Sequence, residues 1–94
     1  SKKEEILNTI ENEKIDYITF ASSSTVKNFM TLIGKDNIKK LSDTKIISIG
    51  DITSKTIEEY GLKVYKQSET ATIASMIDAI SNDKFNLNTG VLTC

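Results

Sequence analysis

Histidine, proline and tryptophan are absent from this 94-residue sequence, and cysteine occurs once, as Cys94. Without histidine, the Cys/His zinc sites and the nucleophile pairs that rely on an imidazole base are excluded. A single cysteine cannot close an internal disulfide, and a cytoplasmic location is expected. Charge of one sign is also lacking. The 12 basic and 13 acidic side chains leave a net charge of -1 and are scattered along the chain, so no basic stripe is available to neutralise a nucleic-acid backbone. Nucleic acid is not an expected partner. No apolar run approaches the ~20 residues that span a bilayer, and the opening Ser1-Lys2-Lys3-Glu4-Glu5 lacks the form of a signal peptide, so no membrane is expected either. Neither G-x-G-x-x-G nor the P-loop pattern occurs, which argues against a dinucleotide or Walker-type site.

What is present is an apolar fraction of 38% against 27% charged residues, the range of a small globular domain. A chain this short buries a modest share of its surface, so its stability is expected to lean on a partner surface. The pattern alternates between two periods. Lys2 to Glu13 carries Ile6, Leu7 and Ile10 as a helical stripe, and Ser1 with Glu4 can form a capping box. Ile15 to Ala21 is β-branched and aromatic, a strand buried on both faces. Val26, Phe29, Met30 and Ile33 then recur at helical spacing, with serine caps before them and Gly34 after. The grammar repeats with a strand over Lys45 to Ile49, a turn at Gly50-Asp51-Ile52, a helix over Thr53 to Tyr60 and a stop at Gly61. A strand over Leu62 to Tyr65 and a helix over Ala71 to Ser81 follow, with Ile73, Met76, Ile77 and Ile80 on one face.

Strands alternating with helices across short turns imply right-handed crossovers and a parallel α/β sheet. The expected core is Ile18, Phe20, Val26, Phe29, Ile47, Ile49, Ile57, Val64, Ile73 and Ile77. Asn37 to Leu41 reads as one helical turn in a connection. The tail from Asn82 to Cys94 is compatible with an extra strand or an ordered extension. About three strands with flanking helices make an incomplete part of a doubly wound domain, which usually has about five.

Ligands of open parallel sheets bind beyond the carboxyl ends of the strands, where helix N-termini present free amides and a partial positive charge. Two turns have suitable chemistry: Ser22-Ser23-Ser24-Thr25, and Gly50-Asp51-Ile52-Thr53-Ser54. Together they suit carboxylates or phosphates. Serine, threonine and aspartate at helix starts are also ordinary caps, and Asp51 is more readily a cap than a general base. No nucleophile, base and orienting group assemble into a catalytic set.

At these turns the sequence resembles a known family. The run Ile15 to Phe29, a strand followed by Ser22-Ser23-Ser24-Thr25-Val26 and a helix with Phe29, is similar to a segment of the uroporphyrinogen-III synthases. Lys45 to Ser54 resembles their Ile-Gly-x-x-Thr segment, Tyr60-Gly61-Leu62-Lys63-Val64 their Gly-Leu-x-Val strand, and the helix opening at Thr70-Ala71-Thr72-Ile73 their closing element. The resemblance runs from about Ser1 to Ser81. Ala21 stands where a threonine is usual and Asp51 where proline is frequent, which removes a hydroxyl and adds a negative charge near the turns.

The resemblance implies the C-terminal segment of one flavodoxin-like α/β domain of a two-domain synthase, with the site in the cleft between domains. It implies cyclisation of hydroxymethylbilane to uroporphyrinogen III with inversion of the terminal ring and without a cofactor or metal. It also implies substrate binding by Ser22, Ser23, Ser24, Thr25, Gly50, Ile52 and Thr53, with Thr53 nearest the reacting ring as the catalytic candidate. The missing domain of the same protein is then the partner, and these residues alone are expected to be inactive. The alternative is a non-catalytic module that binds a small anion at the same turns; a third reading takes the turns as caps only.

Overall fold

The computed structural model describes residues 2–13, 15–83 and 89–94. In chain order they form α1 (Lys2–Asn12), β1 (Tyr17–Phe20), α2 (Ser23–Ile33), a 3-10 helix (Lys35–Leu41), β2 (Lys45–Ser48), α3 (Asp51–Glu59), β3 (Val64–Gln67), α4 (Ile73–Ser81) and β4 (Val91–Thr93). The expected alternation is present. The capping box expected at Ser1 lies outside the described residues. The helical turn expected at Asn37 to Leu41 grows into the 3-10 helix, with the Asn37 side chain donating to the Ile33 carbonyl at 2.6 Å. Gly34 (φ 80°) and Gly61 (φ 83°) end α2 and α3 in the left-handed region, where glycine avoids the Cβ clash.

The sheet has four parallel strands in the order β3-β2-β1-β4, one more than the three legible strands. The fourth comes from the tail. Val91, Leu92 and Thr93 pair with Tyr17, Ile18 and Thr19. The Cys94 amide donates to the Thr19 carbonyl at 2.9 Å, and the Gly90 amide donates to the Asp16 carboxylate at 3.0 Å. Pairing on both sides makes β1 an internal strand, and all four of its residues are buried. β3 begins two residues later than its apolar pattern suggests, and after its first pair, Ile46 with Val64, the register shifts so that Ile47 pairs with Lys66.

Helices α2 and α3 cover one face of the sheet. There Ile18, Phe20 and Ile46 meet Val26, Phe29, Met30, Ile33 and Ile57, with Phe20 and Phe29 packed edge to face at 5.5 Å. On the other face α4 places Met76 and Ile80 against Tyr17 and Ile47. Two of the expected core positions are therefore wrong: Ile73 is 63% exposed and Ile77 57%. On a helix, residues 73 and 77 lie beside 76 and 80, so a broad apolar stripe does not say which half meets the sheet. Ile49 and Val64, also expected inside, are half-buried at the core margin.

The amino-terminal ends of the strands are tied to the end of α4 through Asp83. Its carboxylate accepts hydrogen bonds from the Tyr17 hydroxyl and, at 2.8 Å, the Tyr65 hydroxyl, and the Lys45 ammonium lies 3.3 Å away. Burial, then the hydrogen bond to Asp83, pushes the Tyr17 phenol up to about 12. A phenol whose pKa is higher folded than unfolded stabilises the fold fully below the unfolded value near 10, and that contribution fades as pH climbs toward 12. Tyrosinate absorbance should accordingly show one tyrosine titrating last, near pH 12, and Tyr17→Phe should remove that step. A Tyr17 titration at the ordinary value of 10 would contradict the buried, Asp83-bound phenol.

Candidate functional site

Strands β1 and β2 run parallel and in register, Phe20 beside Ser48, and the Ile49 amide donates to the Phe20 carbonyl at 3.2 Å. The turns that follow them therefore leave the sheet side by side on its carboxyl edge. With α2 and α3 on one face and α4 on the other, the winding reverses between β1 and β4. That is the switch point at which doubly wound sheets open a crevice. The Ser22 turn lies at this point and the Gly50 turn one strand away.

The first turn is occupied by its own chemistry. Ser22 is the N-cap of α2: its hydroxyl accepts from the Thr25 amide at 3.2 Å, while the Thr25 hydroxyl accepts from the Ser22 amide at 3.3 Å. The Thr25 hydroxyl also donates to the Ser22 carbonyl at 2.7 Å. This reciprocal box satisfies two of the donors at the helix start, the amides of Ser22 and Thr25. Ser22 and Thr25 are thus caps in the geometry at hand. Ser23, half-buried, and Ser24, exposed, keep hydroxyls that make no hydrogen bond among the described residues.

The second turn is open. Helix α3 begins at Asp51, two residues earlier than the sequence suggests, with Gly50 as its N-cap and no side chain capping it. Its first hydrogen bond to the turn runs from the Ser54 amide to the Gly50 carbonyl at 2.9 Å, so the amides of residues 51–53 project past the helix end. Nothing lies within 4 Å of a Cβ built on Gly50, whose φ of 179° is extended; the space above the turn is clear. Thr53 falls one turn before Ile57 and shares its inward face. It is 4% exposed, and its hydroxyl makes no hydrogen bond among the described residues. Among the described residues no side-chain oxygen sealed from solvent lacks a partner, so the Thr53 hydroxyl keeps some contact with solvent. The reading of Thr53 as a cap is overturned, because the earlier helix start turns residue 53 inward. Ile52, 76% exposed, stands at the lip.

Ser48 and Gln67 escaped sequence reasoning. Ser48 holds the turn through its hydroxyl, which donates to the Gly50 carbonyl at 3.0 Å. The Ser54 hydroxyl lies 2.8 Å from Ser48 and 2.7 Å from the Gln67 amide oxygen. The Gln67 amide nitrogen donates to the Asp51 carboxylate at 2.8 Å. No local spacing signals these contacts, which join β2, α3 and β3. The tail contributes elsewhere: Leu92 and Cys94 form, with Ile6, Phe29 and Leu32, a mostly apolar groove beside α2. Burial pushes the Cys94 thiol up to about 11, so it is a packing group there rather than a thiolate nucleophile.

A parallel sheet with helices on both faces, carrying one capped and one uncapped helix start at its carboxyl edge, defines a doubly wound α/β domain, without a metal-binding cluster among its described residues. A family profile described as Uroporphyrinogen-III synthase HemD matches residues 1–78, and the chain belongs to that family. It is 46% identical over 52 residues to a uroporphyrinogen-III synthase of Chlorobaculum parvum, covering 54% of this chain and 20% of that protein. Proteins provisionally named uroporphyrinogen-III synthase are also similar. In Methanothermobacter thermautotrophicus the identity is 33% over 81 residues, 83% of this chain and 32% of that protein. In Methanocaldococcus jannaschii it is 35% over 63 residues, 67% and 26%. The chain thus spans between a fifth and a third of the length of these relatives. No solved structure matches it significantly.

Proposed function

We propose that this chain is the C-terminal segment of one domain of a uroporphyrinogen-III synthase, working in the cytoplasm in the tetrapyrrole pathways to heme and cobalamin. In this reading hydroxymethylbilane loses its hydroxyl as water while a carbon–carbon bond closes the ring with the terminal pyrrole inverted. The pyrroles supply the reactive carbons and no cofactor takes part. The protein folds the substrate, assists departure of the hydroxyl and favours attack at the substituted carbon. The observation that carries the reading is the Thr53 hydroxyl, buried with its residue yet unpartnered, at an uncapped helix start beside the clear space over Gly50. Carboxylates of the substrate bind the free amides of residues 51–53 and the Ser23 and Ser24 hydroxyls as charge-assisted acceptors. The Thr53 hydroxyl donates to the departing group or to a carboxylate of the adjacent ring.

The opposite wall of the cleft belongs to the remainder of the synthase, which is the partner of this chain. The 94 residues alone should convert hydroxymethylbilane only to the non-enzymatic isomer, and adding or fusing the remaining domain should restore the type III product. Chromatographic separation of the isomers checks both arms. Type III product from the chain alone, or none from the fused protein, would overturn the proposal.

A further inference from the structure

Asp51 sets an electrostatic problem at the open turn. A carboxylate in the first turn of a helix is attracted to the same amides and the same partial positive charge that an anionic ligand would use. It does not cap α3, however. Its Oδ1 accepts from the Gln67 amide nitrogen at 2.8 Å, and the Gln67 amide oxygen in turn lies 2.7 Å from the Ser54 hydroxyl. Gln67 ends β3, which lies on the far side of β2 from β1. The link therefore holds the carboxylate toward β3, on the side of β2 away from the switch point.

We propose that Gln67 is a positioning residue that holds Asp51 off the open helix start and so lets the turn at Gly50 accept a carboxylate ligand. The proposal rests on the reading of that turn as a carboxylate site. Two independent features make the turn more than a helix end: the unpartnered Thr53 hydroxyl in a residue 4% exposed, and the clear space over Gly50. Gln67 is neutral and bidentate. Its amide nitrogen occupies the aspartate while its oxygen engages Ser54, which fixes the direction of the restraint at both ends of the first turn of α3. A glutamate in its place would repel Asp51 and lose the donor.

The test is a double-variant cycle on the 94-residue chain, with citrate as the probe and the backbone amide shifts of residues 51–53 as the readout, against sodium chloride at matched ionic strength. Gln67→Ala should weaken citrate binding about two- to fivefold, the scale of one charge at a helix end, and Asp51→Asn should strengthen it by a similar factor. In the Asp51→Asn background, Gln67→Ala should have no further effect. Circular dichroism of each variant verifies the fold, and Gln67→Glu gives a second way to break the link with little change of size. If citrate binds but the Gln67→Ala loss persists beside Asp51→Asn, or Asp51→Asn does not tighten binding, the role of Gln67 is overturned while the carboxylate site stands. If citrate shifts none of these amides in any variant, the carboxylate site itself falls, and the role of Gln67 with it.

Discussion

Phe29→Ala should destabilise the domain by roughly 3–5 kcal/mol, the range for truncating a buried phenylalanine. The ring is 5% exposed, sits between α2 and the sheet, and meets the edge of Phe20 at 5.5 Å. Losing it removes apolar burial, opens a cavity and ends the aromatic contact. A domain of this size has a total stability on the order of 5 kcal/mol, so the variant should be largely unfolded at physiological temperature. Urea denaturation followed by circular dichroism measures the loss. Ile77→Ala, at a position 57% exposed, is the control and should cost well under half as much. A Phe29→Ala cost below about 1 kcal/mol would contradict the packing described.

In the complete synthase, Thr53→Ala should lower turnover by about one to two decades, beside a loss of stability on the order of 1 kcal/mol from its buried methyl group. A hydrogen bond to a charged group is worth roughly 1.5–3 kcal/mol, which gives that factor if it acts fully at the transition state. A merely capping threonine would show a similar loss of stability but spare the chemistry, so turnover per folded molecule tells them apart. The geometry separates the two, since Thr53 makes no capping bond and α3 starts at Asp51. Thr53→Ser should recover most of the activity. Normal turnover of Thr53→Ala, measured per folded molecule, would remove the hydroxyl from the mechanism.

The two turns looked alike as sequence and differ as structure. Ser22 and Thr25 satisfy each other, and their spacing of three residues is a local signature of that outcome. Thr53 also follows a turn, yet its role depends on where α3 begins, and a two-residue change in that start moves its side chain from the helix cap to the inward face. Gln67 carried no signal, because the partners that give it meaning lie 13 and 16 residues away on another element.

By itself the sequence determined the alternation of strands and helices, the parallel sense of the sheet, the glycine stops at Gly34 and Gly61 and a serine cap before α2. Each depends on residues within a few positions of one another, where side-chain period, cap chemistry and backbone sterics act directly. Only the tertiary structure decided that Met76 and Ile80 face the sheet instead of Ile73 and Ile77, that Val91–Thr93 completes it beside β1, and that Thr53 stays open while Gln67 restrains Asp51. These outcomes depend on surfaces brought together across the fold. An apolar stripe offers more than one burial register and a three-residue strand has little identity of its own, so the choice falls to the packing and pairing of distant residues.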